Sequence, residues 1–300
     1  MAMVKNLLKL AISLCREFIT LGDINSKERY QLHKDVLMDN SDFPLTIVFD
    51  IDGILVDNIE FEDAVTEYII RTLANTRNIS LEDASCCWFE TLEKHRDHRE
   101  WHDYGLHCRS LGINTAWKQA HESSQSLLKK FAGIEDALQA ARVAEHRWVA
   151  TDASEWVANF KLSATGLTEN FDEVISSTRW ALNKGQKDYW HHVAELLPNP
   201  STFVVFVENR YDRIESALSV LERCICIWVQ TPDHAKELGF CPLNVERCYR
   251  NSVIIATHES LGSILSKLLS DKMQYQTKLE QAKRGRDYVS FWEARYDFCP

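Results

Sequence analysis

At 300 residues the chain is long enough for one large domain, or for a core with a smaller insert. Its 45% apolar and 26% charged residues are globular in proportion, and a net charge of −10 without a basic cluster argues against the nucleic-acid backbone as a general partner. The nine cysteines are odd in number and irregular in spacing, and neither Cys86-Cys87 nor Cys224-x-Cys226 has the matching second pair of a zinc site. They read as reduced, structural thiols of a cytoplasmic protein.

The first 21 residues place Val4, Leu7, Leu8, Ala11, Leu14, Cys15, Phe18 and Leu21 at helical spacing, with Lys5, Lys9 and Arg16 between. Lys9 interrupts the apolar run and no small-residue cleavage site follows, which speaks against a signal peptide. No run in the chain is long enough to cross a bilayer. The helix is expected to pack on the core or a partner, with a membrane-surface helix as the lesser alternative. Residues 22–44 are polar and end in Asp42-Phe43-Pro44, a connector, so 1–43 forms an N-terminal helical extension.

Leu45 to Phe49 is a short β-branched and aromatic run, which predicts a buried strand, and it ends in Asp50-Ile51-Asp52-Gly53. Open α/β sheets bind ligands just past their strand ends. Gly53 lets the chain leave the strand in a conformation that a Cβ would resist. Asp50 can attack an electrophilic phosphorus, Asp52 is close enough to handle protons, and together they can hold a hard cation such as Mg²⁺. An acidic Asp-Gly turn is the plain alternative. This stretch resembles the first motif of the haloacid dehalogenase (HAD) superfamily, and the order of the later motifs strengthens the resemblance over residues 44–260. It implies an α/β fold: a Rossmann-like parallel sheet with helices on both faces, plus a small α-helical cap. The phosphoglycolate phosphatase and β-phosphoglucomutase-like members are the subgroup it resembles.

Residues 58–130 show helical patterns and no convincing strand: Phe61, Ala64, Tyr68, Ile69 and Leu73 form one stripe, and Trp88, Phe89 and Leu92 belong to another. This segment is similar to the family's cap. It carries His95, His98, His102, His107 and His121, yet the run Glu93–Glu100 reads as a solvated mixed-charge face. His95 and His98, three apart, lack a third ligand for a metal.

Alternation follows: helix over 133–144, strand 147–151, helix 153–164, strand 171–176, helix 186–197, strand 202–207, helix 213–221, and strands 224–229 and 252–256. Strands alternating with helices argue for a parallel sheet covered on both faces. The core is therefore 44–57 with 131–270, and 271–300 is a charged, helical tail.

The resemblance then assigns roles. Thr151, ending a strand, falls where the family binds the phosphoryl group; the alternative is that Thr151 or Asp152 merely caps the next helix. Lys184 is the expected third-motif lysine, ahead of Lys187, with Gly185 where the family's Pro usually stands. In the fourth motif, one register puts Asn209 at the usual metal-binding Asp and Glu208 at a position that is Gly or, in mutase relatives, Glu. The other register reads Glu208-x-x-x-Asp212 as the acid pair. Asp50, Asp52, Thr151 and Lys184 are thus the expected catalytic set, and Asp50, Asp52, Glu208, Asn209 and Asp212 the candidate Mg²⁺ ligands.

The activity implied is Mg²⁺-dependent hydrolysis of a small phosphorylated metabolite through an aspartyl-phosphate on Asp50. Dehalogenating relatives usually lack the second Asp, so Asp52 favours phosphate chemistry. A degenerate binding or scaffold protein is the competing reading, supported by Asn209, the missing fourth-motif Gly and the terminal helices at 3–20 and 271–297, which could form a homo-oligomer interface or dock a partner. A mutase or diphosphate-processing enzyme is a third.

Overall fold

The computed structural model describes residues 44–95, 101–200, 202–221, 223–230 and 252–270. The expected terminal helices at 3–20 and 271–297, and with them the oligomer interface, lie outside these residues, as does His98.

Six parallel strands form the central sheet: β1 (Leu45–Phe49), β4 (His146–Thr151), β5 (Glu173–Ser176), β6 (Phe203–Glu208), β7 (Cys224–Val229) and β8 (Ser252–Ala256), in the order β5-β4-β1-β6-β7-β8. β1 is central, flanked by β4 with Phe49 opposite Val149 and by β6 with Phe49 opposite Val207. The chain builds outward from β1 on one side through β4 and β5, then crosses to the other side for β6. The end of β1 is therefore the point where strand order reverses, the place such sheets leave open for a ligand.

Alternation along each strand divides the core into two layers. Leu45, Ile47 and Phe49 face one layer, with Ile225, Ile227 and Val229 of β7. Its cover comes from α5 (Ile134–Ala141), α6 (Glu155–Ala164) and α9 (His258–Ser270), through residues such as Leu138, Leu162 and Leu265. Val48, Cys224, Cys226 and Trp228 face the other layer, covered by α7 (Lys187–Leu196) and α8 (Tyr211–Leu218) through Trp190, Val193, Ile214 and Ala217. Cys224 and Cys226 are free, buried thiols packed as small hydrophobes.

Between β1 and β4 the chain makes a second, two-stranded antiparallel sheet from β2 (Val56–Asp57) and β3 (Lys129–Lys130). The sequence of the 58–130 segment shows no strand signal, and β3 is two exposed lysines; it exists because Val56 and Asp57 present their backbone to it. That pair joins the core to a helical insert: α1 (Ile59–Arg77), α2 (Leu81–Glu93), α3 (Tyr104–Ser110) and α4 (Ala116–Ser124). The α1 stripe is Phe61, Val65, Ile69 and Leu73, spaced four apart, while Ala64 and Tyr68 sit at its margin. Ser80 caps α2 by accepting the Asp83 N–H at 3.0 Å. Trp88 is fully buried in the insert's own core, whereas Phe89 of the predicted stripe is exposed. The predicted helix 213–221 runs instead from Tyr211 to Leu218. No described helix is long and apolar enough to cross a membrane.

Candidate active site

β1 delivers Asp50 to the sheet edge, its N–H still bonded to the Val207 carbonyl at 3.0 Å and its side chain 6% exposed. The chain then turns at once: the N–H groups of Leu55 and Val56 both donate to the Ile51 carbonyl, at 2.9 and 3.0 Å. Gly53 sits at φ +77°, and a Cβ there would lie 2.0 Å from Asn209 Nδ2. That glycine meets both a left-handed backbone and a close neighbour. His258 closes the loop from outside, its Nε2 2.8 Å from the Gly53 carbonyl and its ring stacked on Phe131 at 3.8 Å.

Lys184 is the centre of the cluster. Its Nζ lies 2.6 Å from Asp50 Oδ1 and 2.7 Å from Glu208 Oε2, and its side chain is 2% exposed. Lys187, three residues on, is exposed at the start of α7. The Lys184 backbone is pinned too: its N–H donates to Asp152 Oδ1 at 2.7 Å, and its carbonyl accepts the Trp190 indole N–H at 2.7 Å. Asp152 in turn takes Arg213 Nε on its other oxygen at 2.8 Å. Burial would raise the Asp152 carboxyl, but Lys184 and Arg213 outweigh it and bring it below its ordinary value.

Two buried carboxylates share one ammonium, and the electrostatics show it. Burial first, and the Glu208 charge second, push the Asp50 carboxyl well above the usual range despite Lys184. Burial opposes the Lys184 charge, yet Asp50, Glu208 and Asp152 together raise its pKa and keep it an ammonium. Counting their neighbours, five carboxylates (Asp50, Asp52, Glu62, Asp152, Glu208) face three cations (Lys161, Lys184, Arg213). This excess of negative charge suits a divalent cation.

The fourth-motif residues separate into distinct roles. Glu208 is fully buried, and both its oxygens are engaged: Oε2 by Lys184, Oε1 by the N–H groups of Asn209 and Arg210 at 2.8 and 2.9 Å. Asn209 lies against the turn, its Nδ2 3.3 Å from the Asp52 carbonyl. Asp212 is half exposed and occupied by Arg210 and Arg213, at 3.0 and 2.9 Å. In the register that pairs Glu208 with Asp212, Asp212 is the second residue of α8, where the Arg210 and Arg213 guanidinium groups hold its carboxylate. Among the described residues no three His, Cys, Asp or Glu side chains converge as a metal cage. Oxygen donors of mixed type are at hand for a hard cation: the Asp50 and Glu208 carboxylates, the Asp52 carbonyl and the Asn209 amide oxygen. Asn209 Nδ2 donates to the Asp52 carbonyl, an approach so close that a Cβ at position 53 would collide with it.

Thr151, 1% exposed, ends β4 beside Asp50. Its Oγ1 accepts the Ala153 N–H at 3.1 Å, leaving its hydrogen free to donate. Neither Thr151 nor Asp152 caps the following helix: α6 starts at Glu155, whose N–H is taken by Thr178 Oγ1 at 3.1 Å.

Asp52 faces the insert. Its Oδ1 accepts from Lys161 Nζ at 2.7 Å, and Lys161 also reaches Glu62 Oε1 at 2.6 Å. From the insert, His102 comes within the influence of Asp152, Asp52, Arg213 and Arg210, and burial lowers its ring pKa. Lys161, Glu62, Asp152, Arg213 and His102 are site residues the motif reading missed. Only Lys161 left a visible signal: a lone lysine four residues after Val157, on the buried stripe of α6.

The sequence model of the haloacid dehalogenase-like hydrolases matches residues 47–225. Among solved structures, the chain is similar to a HAD phosphatase from Thermococcus onnurineus, with a TM-score of 0.60, 20% identity, and coverage of 74% of this chain and 97% of that one. It is also similar to a 2-haloacid dehalogenase from Pseudomonas syringae pv. Tomato, with a TM-score of 0.49, 12% identity, and 75% and 99% coverage. No curated protein matches.

Proposed function

The chain belongs to the haloacid dehalogenase-like hydrolases, and from that premise we propose that it is a phosphatase of small phosphate monoesters working through an aspartyl-phosphate on Asp50. The observation that carries the reading is the pairing of Asp50, held against Lys184, with a second carboxylate two residues on, in an α/β fold whose strand order reverses at this point. An ester intermediate of dehalogenation needs no acid for its leaving group, whereas a phosphate ester does.

In this reading an Asp50 oxygen attacks phosphorus as the ester P–O bond breaks, and Asp52 gives its proton to the departing alcohol oxygen. Water then attacks the same phosphorus, Asp52 takes its proton, and the acyl-phosphate bond breaks to restore Asp50 and release inorganic phosphate. Lys184 and the Thr151 hydroxyl hold phosphoryl oxygens, and Asp152 keeps the Lys184 backbone in place. Mg²⁺ bound by the Asp50 carboxylate, the Asp52 carbonyl and Asn209 would neutralise phosphoryl charge. Glu208 serves chiefly as the fixed partner of Lys184. The helical insert acts as the cap over this site, contributing Glu62 to the charged cluster.

The test is phosphate release from a panel of phosphomonoesters with and without Mg²⁺, with Asp50→Asn as control. Release that requires both Mg²⁺ and Asp50 supports the reading. A folded wild-type protein that releases none overturns it in favour of a binding protein.

A further inference from the structure

Lys161 is an unusual lysine. It lies on α6, in the core, with its side chain 2% exposed, and it spends its ammonium on two carboxylates from different parts of the chain: Asp52 at 2.7 Å and Glu62 of α1 at 2.6 Å. The Phe61 ring lies beneath the same nitrogen, 5.6 Å to its centroid. Glu62 is itself held from the insert, its Oε2 by the Tyr104 hydroxyl at 2.5 Å and its Oε1 also by Asn58 Nδ2 at 3.3 Å. Phe160 of α6 stacks on Phe61 at 6.3 Å and meets His121 of α4 edge-on at 6.1 Å, which walls the ion pair off on the insert side.

A buried triad of this kind is a poor way to gain stability, because taking three charges out of water costs about as much as their attraction returns. What it achieves is placement. Asp52 is the most exposed member, at 34% of its side chain against 26% for Glu62 and 2% for Lys161, and only its Oδ1 is tied. Among the described residues no hydrogen bond reaches its Oδ2, which is left to meet the reacting oxygen.

We propose that Lys161 is a positioning residue for Asp52, and that Glu62 holds Lys161 in place, so that the insert reaches the proton-handling carboxylate through a single buried ammonium. The inference rests on the phosphatase reading and deepens it: the seat of the insert and the aim of the acid–base group are one structural unit. Removing Lys161 frees Asp52 to rotate, and both proton transfers suffer. The second is then the slower step on a substrate whose leaving group needs no proton, because Asp50 is still phosphorylated but water is poorly activated.

The experiment compares wild type with Lys161→Met on two substrates, an alkyl phosphate and p-nitrophenyl phosphate. It measures kcat and KM and, after acid quench, the fraction of protein carrying one phosphoryl group by mass spectrometry. The expected result is a kcat loss of about tenfold or more on the alkyl phosphate with KM little changed. On p-nitrophenyl phosphate, the phosphorylated fraction should rise above wild type. A lysine with a merely structural role would not raise that fraction. Lys161→Met alone strands Glu62 as a buried charge, so Lys161→Met/Glu62→Gln carries the same test if the single variant does not fold. Unchanged kcat and no accumulated phosphoprotein, in an active wild-type background, overturns the positioning role alone. A wild type with no Asp50-dependent release overturns the phosphatase reading and this role with it.

Discussion

At the scale of single residues, burial decides which side chains can be exchanged. Lys184 neutralises Asp50 and Glu208 in a space almost closed to water. Lys184→Met would leave two carboxylates buried without their cation, and the expected cost is about 3–5 kcal/mol of unfolding free energy, measured by urea titration. Glu62 makes a pH prediction. Burial would raise its carboxyl, but Lys161 and the Tyr104 hydroxyl outweigh burial and bring it from 4.5 down to about 2. A carboxyl depressed on folding contributes stability that is full above its unfolded value and is lost as pH falls through its folded one. The window therefore runs from about pH 4.5 to about 2, and the contribution is up to about 3 kcal/mol. Glu62→Gln should flatten the stability profile over that range, read as denaturation midpoint against pH.

At the scale of elements, two glycines record how closely α8 and the β6 loop press on the motifs. A Cβ on Gly185 would lie 2.1 Å from Arg213 Nη1, so Arg213 lies over the residue that follows Lys184. This is a physical reason for glycine at a position where relatives usually carry Pro: Arg213 is drawn across it to Asp152. Gly185→Ala should destabilise the wild type but be nearly neutral in an Arg213→Ala background, and a double-mutant cycle by thermal melting would give a coupling of about 1 kcal/mol or more. Gly53→Ala has no such escape, because positive φ and the Asn209 contact both oppose it. A loss of about 1–3 kcal/mol is expected, together with weaker Mg²⁺ binding as Asn209 is displaced.

At the scale of the molecule, the phosphatase reading predicts that a cation drawn to the negative excess around Asp50 stabilises the fold. Mg²⁺ at a hundred times its Kd should add about 2.7 kcal/mol to wild-type stability. The corresponding rise in Tm should be largely lost in Asp50→Asn. Equal shifts in both proteins would place the ion elsewhere. The insert has its own buried centre around Trp88, which stacks on Tyr104 at 6.0 Å. That centre supports the helix carrying Tyr104 and, through it, Glu62.

What could be read from the sequence alone was whatever short-range periodicity and local turn chemistry encode. The buried β1 strand, the abrupt Asp50-Ile51-Asp52-Gly53 exit and the alternation of strands and helices after 131 are all local patterns, and they suffice for the α/β class and the family. The side of the sheet on which each cysteine of β7 lies was legible for the same reason, since strand residues alternate faces. Position in the chain cannot say which distant charges meet. The contacts of Lys184 with Asp50 and Glu208, and of Asp212 with Arg213, exist only once β1, β6 and α8 have come together. Lys161 and Glu62 meet across 99 residues of chain, and no local pattern pairs two charges whose attraction exists only once the chain between them has folded and water has left.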